Sequence, residues 1–438
     1  MSTGEGARGN AEKYAKVDRD VLAAMKRPGR AYLAGLAFAL LLAVVLHVLW
    51  AYQVRSGLGV VGKMHPVMWA LYITNFVFWV GIAHSGTLIS AVLFLFRARY
   101  RTSFNRAAEA MTVFALMVAG LFPLIHLGRS WVFYYLLPYP NQRQLWVNFR
   151  SPLVWDVFAV GTYFTVSLVF FYVGMIPDFA AAKQHVLGIR KKIYTALSLG
   201  WQGTQKEWRH YNMLYLFLAA FATPLVASVH SVVSWDFAMS IVPGWHTTIF
   251  APYFVAGAIF SGTAMVITLV VPMRKYLSLH EYITDDHFES IAKILLFTSL
   301  IVSYAYIVEF GLAWYGENIF ERETFRYRLL GDYRYFTWTM LFCNSVVPLT
   351  LFARRLRRNT AYLFAISILV NVGMWLERFV IIVTSLSHDY DPYAWGIYKP
   401  TFVCLGVDIG SFGLFFALYL LFVKNLPVLS ISEIKEHL

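Results

Sequence analysis

Residues Pro66–Phe96 read PVMWALYITNFVFWVGIAHSGTLISAVLFLF, a run with no Asp, Glu, Lys or Arg and with His84 as its one histidine. A helix rises 1.5 Å per residue, so about 20 such residues cross roughly 30 Å of hydrocarbon. In lipid every backbone N–H and C=O must be bonded within the segment, and strand-length alternation is absent here. The run is therefore a transmembrane helix. Working outward, nine further runs of the same character stand at about 31–53, 107–128, 152–177, 211–234, 244–271, 289–314, 334–353, 361–384 and 400–423. The expected fold class is all-α integral membrane with about ten transmembrane helices. A polar segment, 1–30, precedes the membrane domain, 31–424, and a tail, 425–438, follows it.

Composition agrees. The 438 residues are 59% hydrophobic and 14% charged, whereas a soluble domain carries about 25% charge and 45–50% apolar residues. Disordered, collagenous and disulfide-framed classes are excluded. The net charge of +13 suggests nucleic acid only for a soluble chain. Here the N-terminus, the C-terminus and the loops after helices 2, 4, 6 and 8 hold 25 of the 37 Lys and Arg, against 10 in the alternate loops. By the positive-inside rule both termini are expected in the cytoplasm and the chain in a bacterial inner membrane. The first 30 residues lack a short apolar run ending in a small-residue cleavage site, so they do not read as a signal peptide. The basic loop 178–210 reads as a topology anchor.

The stretch Gly81-Ile82-Ala83-His84-Ser85-Gly86-Thr87 is similar to Gly257-Ala258-Ile259-Phe260-Ser261-Gly262-Thr263, four spans later. Small residues at this spacing let helices approach closely. Two related helix bundles with flanking helices are expected.

Ionisable residues within spans are costly and mark candidate sites. They are His47, His84, His126, Asp156, His230, Asp236, Glu309, Glu377, Arg378 and Asp408. With Arg129, most fall in the outer half, and only His84 falls clearly in the inner half. One-sidedness of this kind predicts a shared polar cavity near the outer face. His126, three residues after Pro123, and Asp156, in the first turn of the next helix, are expected to meet at similar depth. A His beside a carboxylate accepts protons near neutral pH, as oxidation of a quinol requires. Two aromatic outer loops, 129–151 and 385–399, suit an interfacial belt or a docking surface for an outer partner.

Electron carriers are not evident. Cys343 and Cys404 are too few for an iron–sulfur cluster, which takes about four ligands. The buried histidines occur once per helix, so the two-haem pattern of paired histidines is missing, and no metal site is expected. The chain reads as able to bind and deprotonate a substrate without taking its electrons. A proton-coupled transporter and a single-haem cytochrome are the alternatives from residue reading alone.

Gly120–Arg129, Phe149–Asp156, Ser228–Asp236 and Ile241–Phe250 resemble the membrane subunits of the NrfD / polysulfide-reductase family. Within it the chain is most similar to ActC-type subunits of bacterial alternative complex III. The resemblance implies a ten-helix subunit that binds menaquinol near the periplasmic face and holds no haem or iron–sulfur cluster. It implies as partners an ActB-like iron–sulfur subunit, multihaem and monohaem cytochrome c subunits, a paralogous ActF-like subunit and small membrane subunits. It assigns quinol oxidation to His126 and Asp156, with Arg129, His230, Asp236 and Arg378 in similar stretches. Proton translocation, proposed for such subunits, would draw on His84, Glu309, Glu377 and Asp408. A molybdopterin enzyme of the polysulfide-reductase type is the alternative complex.

Overall fold

The computed structural model describes residues 2–23, 25, 28–63, 67–137 and 149–436, with side chains described from residue 12 onward. All regular structure among them is helical. In chain order the helices are α1 Ser2–Ala23, α2 Arg30–Ser56, α3 Ala70–Leu95, α4 Asn105–His126, α5 Pro152–Ala182, α6 Ile189–Leu197 and α7 Gln205–Ala238. Then come α8 Phe250–Tyr276, α9 Asp285–Tyr315, α10 Ile319–Leu330, α11 Arg334–Phe352, α12 Thr360–Ser387, α13 Phe402–Asn425 and α14 Ile431–Glu436. Ten of them, all but α1, α6, α10 and α14, are long and apolar enough to cross a membrane.

The ends are set by local chemistry. At the start of α7 the Thr204 hydroxyl accepts from the Glu207 N–H, while the Glu207 carboxylate accepts from the Thr204 N–H at 2.8 Å, a capping box. Pro152 occupies the first turn of α5, where a missing N–H costs nothing. Gly128 stops α4 with a φ of 72°, and a Cβ there would lie 2.8 Å from Leu58 Cγ. Two expected starts shift. Helix α3 begins at Ala70 rather than 66, and α8 at Phe250 rather than 244, because Gly244 turns the chain at a φ of 78°. Helices α5 and α7 run longer than hydropathy indicated, to Ala182 and from Gln205, so their polar ends continue past the apolar window.

Helices α3, α4, α5 and α7 pack in one four-helix bundle, and α8, α9, α11 and α12 in a second. Helices α2 and α13 pair beside the first bundle. This is the two-bundle arrangement that the internal similarity implied, and the similar stretches sit at its centre. A Cβ on Gly262 would lie 2.6 Å from the Ile82 carbonyl oxygen, and one on Gly86 2.2 Å from that of Ala108. Glycine is thus needed at Gly86 for the α3–α4 contact and at Gly262 for the α3–α8 contact that joins the bundles. Ser85 Oγ crosses it to the Ile259 carbonyl at 2.5 Å.

An even number of spans puts both termini on one face, here the terminal face. There α1 packs on its surroundings through Lys16–Glu281 at 2.7 Å and Asp18–Lys435 at 2.7 Å. The tail folds back beneath α5, where the Ile431 N–H donates to Asp178 at 3.2 Å.

Candidate functional site: buried ionisable groups

The predicted residues line neither of the two prominent cavities. They fall into four groups. The first group lies at the far end of the first bundle. Asp156, in the first turn of α5, and Asp236, in the last turn of α7, are 6% and 9% exposed. The two carboxyl groups neighbour one another, and both Asp156 oxygens and Asp236 Oδ1 are buried without a hydrogen-bond partner among the described residues. The neighbouring Trp155 and Trp235 rings meet edge to face at 6.0 Å. The expected pairing of Asp156 with His126 is therefore corrected: Asp156 faces across to α7, the helix antiparallel to its own.

His126 ends α4 and turns to the α2–α3 connection, where Lys63 Nζ lies 3.3 Å from its Nδ1. Burial pulls the Lys63 ammonium down from its usual range to about 8. Gln53, fully buried on α2, donates to the Ile125 carbonyl at 2.8 Å and accepts from the Tyr72 hydroxyl at 2.5 Å. Asp408, 5% exposed, leaves Oδ1 without a partner among the described residues, on the helix that also carries Cys404. Arg129, three residues past the end of α4, is exposed.

The third group occupies the centre, between the bundles. The rings of His84 and His230 stand 4.7 Å apart, with Tyr163 stacked on His84 at 4.8 Å. The expected split, His84 in one half and His230 in the other, is overturned. His84 is 14 residues into α3, about 21 Å along its axis, and so meets His230 near mid-membrane. Arg378 covers the Phe254 ring at 4.4 Å and pairs with Glu377 at 2.8 Å. Glu377 accepts from Tyr306, whose hydroxyl also accepts from Asn344 at 2.9 Å. Both His230 ring nitrogens, His84 Nε2 and Arg378 Nη2 are buried without partners among the described residues. Buried polar atoms left unpaired are where internal water or a substrate group binds.

Glu309 forms the fourth group with Arg328, which sequence reading placed in a loop. Their 2.8 Å ion pair is 2–4% exposed, and Arg328 also donates to Ser385 at 2.8 Å.

Sequence reading missed a fifth group, near the terminal face, the half in which it placed only His84. Arg106 pairs with Glu109 at 2.7 Å and with Asp178 at 2.8 Å, every side chain at most 1% exposed. Tyr215 donates to Glu109 at 2.9 Å. An Arg and a Glu three residues apart at a helix start were the available signal; starting that span at 107 placed Arg106 outside it. In the aromatic loop before α5, Pro138, Tyr139, Pro140 and Trp146 lie outside the described residues, while Trp131 and Phe149 are exposed.

Ten candidate membrane helices in two bundles, with ionisable groups buried at the far end, the centre and the terminal end, define a polytopic membrane protein. The sequence pattern of the family described as polysulphide reductase, NrfD matches residues 59–388, and the chain belongs to that family. It is also similar to a Halobacterium salinarum protein described as a putative membrane subunit of dimethyl sulfoxide reductase. That similarity is 28% identity over 436 residues, covering 94% of each chain.

Proposed function

We propose that the chain is the quinol-oxidising membrane subunit of a multi-subunit oxidoreductase and is inactive alone. Quinol, menaquinol by the family resemblance, is its substrate, bound at the far face between His126 and the Asp156–Asp236 pair. The observation that carries this reading is that pair. Two neighbouring buried carboxyls with unpartnered oxygens offer acceptors for a quinol hydroxyl, and oxidation of quinol to quinone releases two electrons and two protons. The protons pass to His126 and the carboxyl pair and then to water at the far face. The electrons pass to an iron–sulfur subunit docked there on the exposed aromatic rim. With both termini cytoplasmic in an inner membrane, as the basic loops favour, the protons leave outside.

Two complexes fit. The motif resemblance favours alternative complex III, with ActB-like, cytochrome c and ActF-like partners. The Halobacterium relative's name, a dimethyl sulfoxide reductase membrane subunit, favours the reductase alternative, and its likeness runs along nearly the whole chain. Proton translocation is a further part of the proposal: the His84–His230 centre and the Arg106–Glu109–Asp178 group supply ionisable stations at the centre and toward the terminal face, with Glu309, Glu377 and Asp408 as side branches. The test is to tag the chain, purify its native complex and add reduced menaquinone analogue. Reduction of a co-purifying iron–sulfur centre is expected, with haem absorption marking the first complex and molybdopterin the second. A chain that purifies alone and moves a solute in vesicles would refute the proposal in favour of a transporter.

A further inference from the structure

A cavity of about 840 Å³ opens on the terminal face beside the tail, and its chemistry is not absorbed by quinol oxidation. Its wall includes Arg97, Arg99, Arg101, Trp208, Tyr211 and Glu433. Arg101 is 5% exposed and lies over the Phe94 ring at 4.6 Å. One edge of its guanidinium pairs with Glu433 at 2.9 Å, while Nη1 is buried with no hydrogen-bond partner among the described residues. Arg97 and Arg99 are exposed, and neither side chain is bonded among those residues.

The acidic groups present are largely committed. Glu433 also accepts from Asn105 at 3.0 Å, and Lys435, at the same rim, is held by Asp18. Glu436 is the remaining carboxylate of the wall. Three guanidinium ends thus converge on one opening with donors to spare. The opening lies at the membrane boundary. Helix α3 ends at Leu95, Phe96 next to it is 78% exposed, and Trp208 and Tyr211 lie in the first two turns of α7. Basic pockets between membrane helices, lined by aromatic rings at headgroup depth, suit anionic lipid.

We infer that this cavity binds the phosphodiester headgroup of an anionic phospholipid. Arg97, Arg99 and Arg101 Nη1 hold the phosphate, and Phe94 and Trp208 lie against the upper acyl chains. Guanidinium groups bind phosphate as a planar donor fork, which fixes the headgroup as well as attracting it.

The test uses the full chain in nanodiscs of phosphatidylcholine mixed with phosphatidylglycerol, read by native mass spectrometry during graded delipidation. The inference expects one phosphatidylglycerol to persist that phosphatidylcholine does not replace, with about tenfold weaker retention in R97Q/R99Q. Both substituted residues are exposed, so the fold survives the change. Equal retention of the two lipids, or unchanged retention in the variant, overturns it. Displacement of the lipid by millimolar inorganic phosphate assigns the site to a free anion instead and also overturns it.

Discussion

Replacing Arg106 by Met removes the cation from the buried Arg106–Glu109–Asp178 group and tests whether it is a coupled unit. Two ion pairs, at 2.7 and 2.8 Å, are lost together, and two carboxyls at most 1% exposed stay behind. Breaking a buried pair from one side costs about 3–5 kcal/mol, because the remaining charge is stranded rather than because the pair was strongly favourable. At about 2–4 °C per kcal/mol, the melting temperature falls by roughly 10 °C. Neutralising the partners as well, in R106M/E109Q/D178N, removes the stranded charge. It also keeps acceptor oxygens for the Tyr215 hydroxyl and the Ile431 N–H. The triple variant should therefore regain most of the loss. Tryptophan-fluorescence melting of the full chain in detergent reads both. A single variant within about 2 °C of the parent, or a triple variant no better than the single one, refutes the reasoning.

Gly86→Ala places a Cβ 1.9 Å from Thr112 Oγ1 and 2.2 Å from the Ala108 carbonyl oxygen, backbone that cannot move aside. Overpacking of about 1–3 kcal/mol should lower the melting temperature by several degrees, and an unchanged melt would contradict the close α3–α4 contact. The Lys63 ammonium, held down to about 8, donates to His126 below that pH and loses its proton above it. An unfolded lysine keeps its proton to about 10.4, so between these values the unfolded chain binds more protons and stability rises with pH. In the assembled complex the alkaline limb of quinol oxidation should inflect near pH 8 and vanish in K63M; an inflection that persists there removes Lys63 from the site.

The membrane spans were readable because each apolar run is close to or beyond the length the bilayer needs, and the glycine motifs marked where the bundles touch. Their ends were not, since α5 and α7 continue through polar turns that hydropathy does not score. Within the candidate site, the residue types were legible and their partners were not. Asp156 meets Asp236 across 80 positions of chain, and which face of α5 it presents depends on a packing angle that no local pattern carries. Arg106 escaped because it stands at the first turn of α4, just outside the apolar run, yet the fold buries it beneath the tail. His84 was misplaced in depth because its helix starts at Ala70, four residues later than the apolar run suggests.

The central claim is that the Asp156–Asp236 pair takes the protons of quinol. The direct measurement is the rate at which reduced menaquinone analogue reduces the metal centres of the purified complex carrying D156N or D236N. Positioned acid–base groups contribute about 10²–10⁴-fold. The account predicts at least about a hundredfold loss in either variant, with the full set of partner proteins and the dithionite-reducible centres unchanged. Parental rates in an intact complex would contradict it.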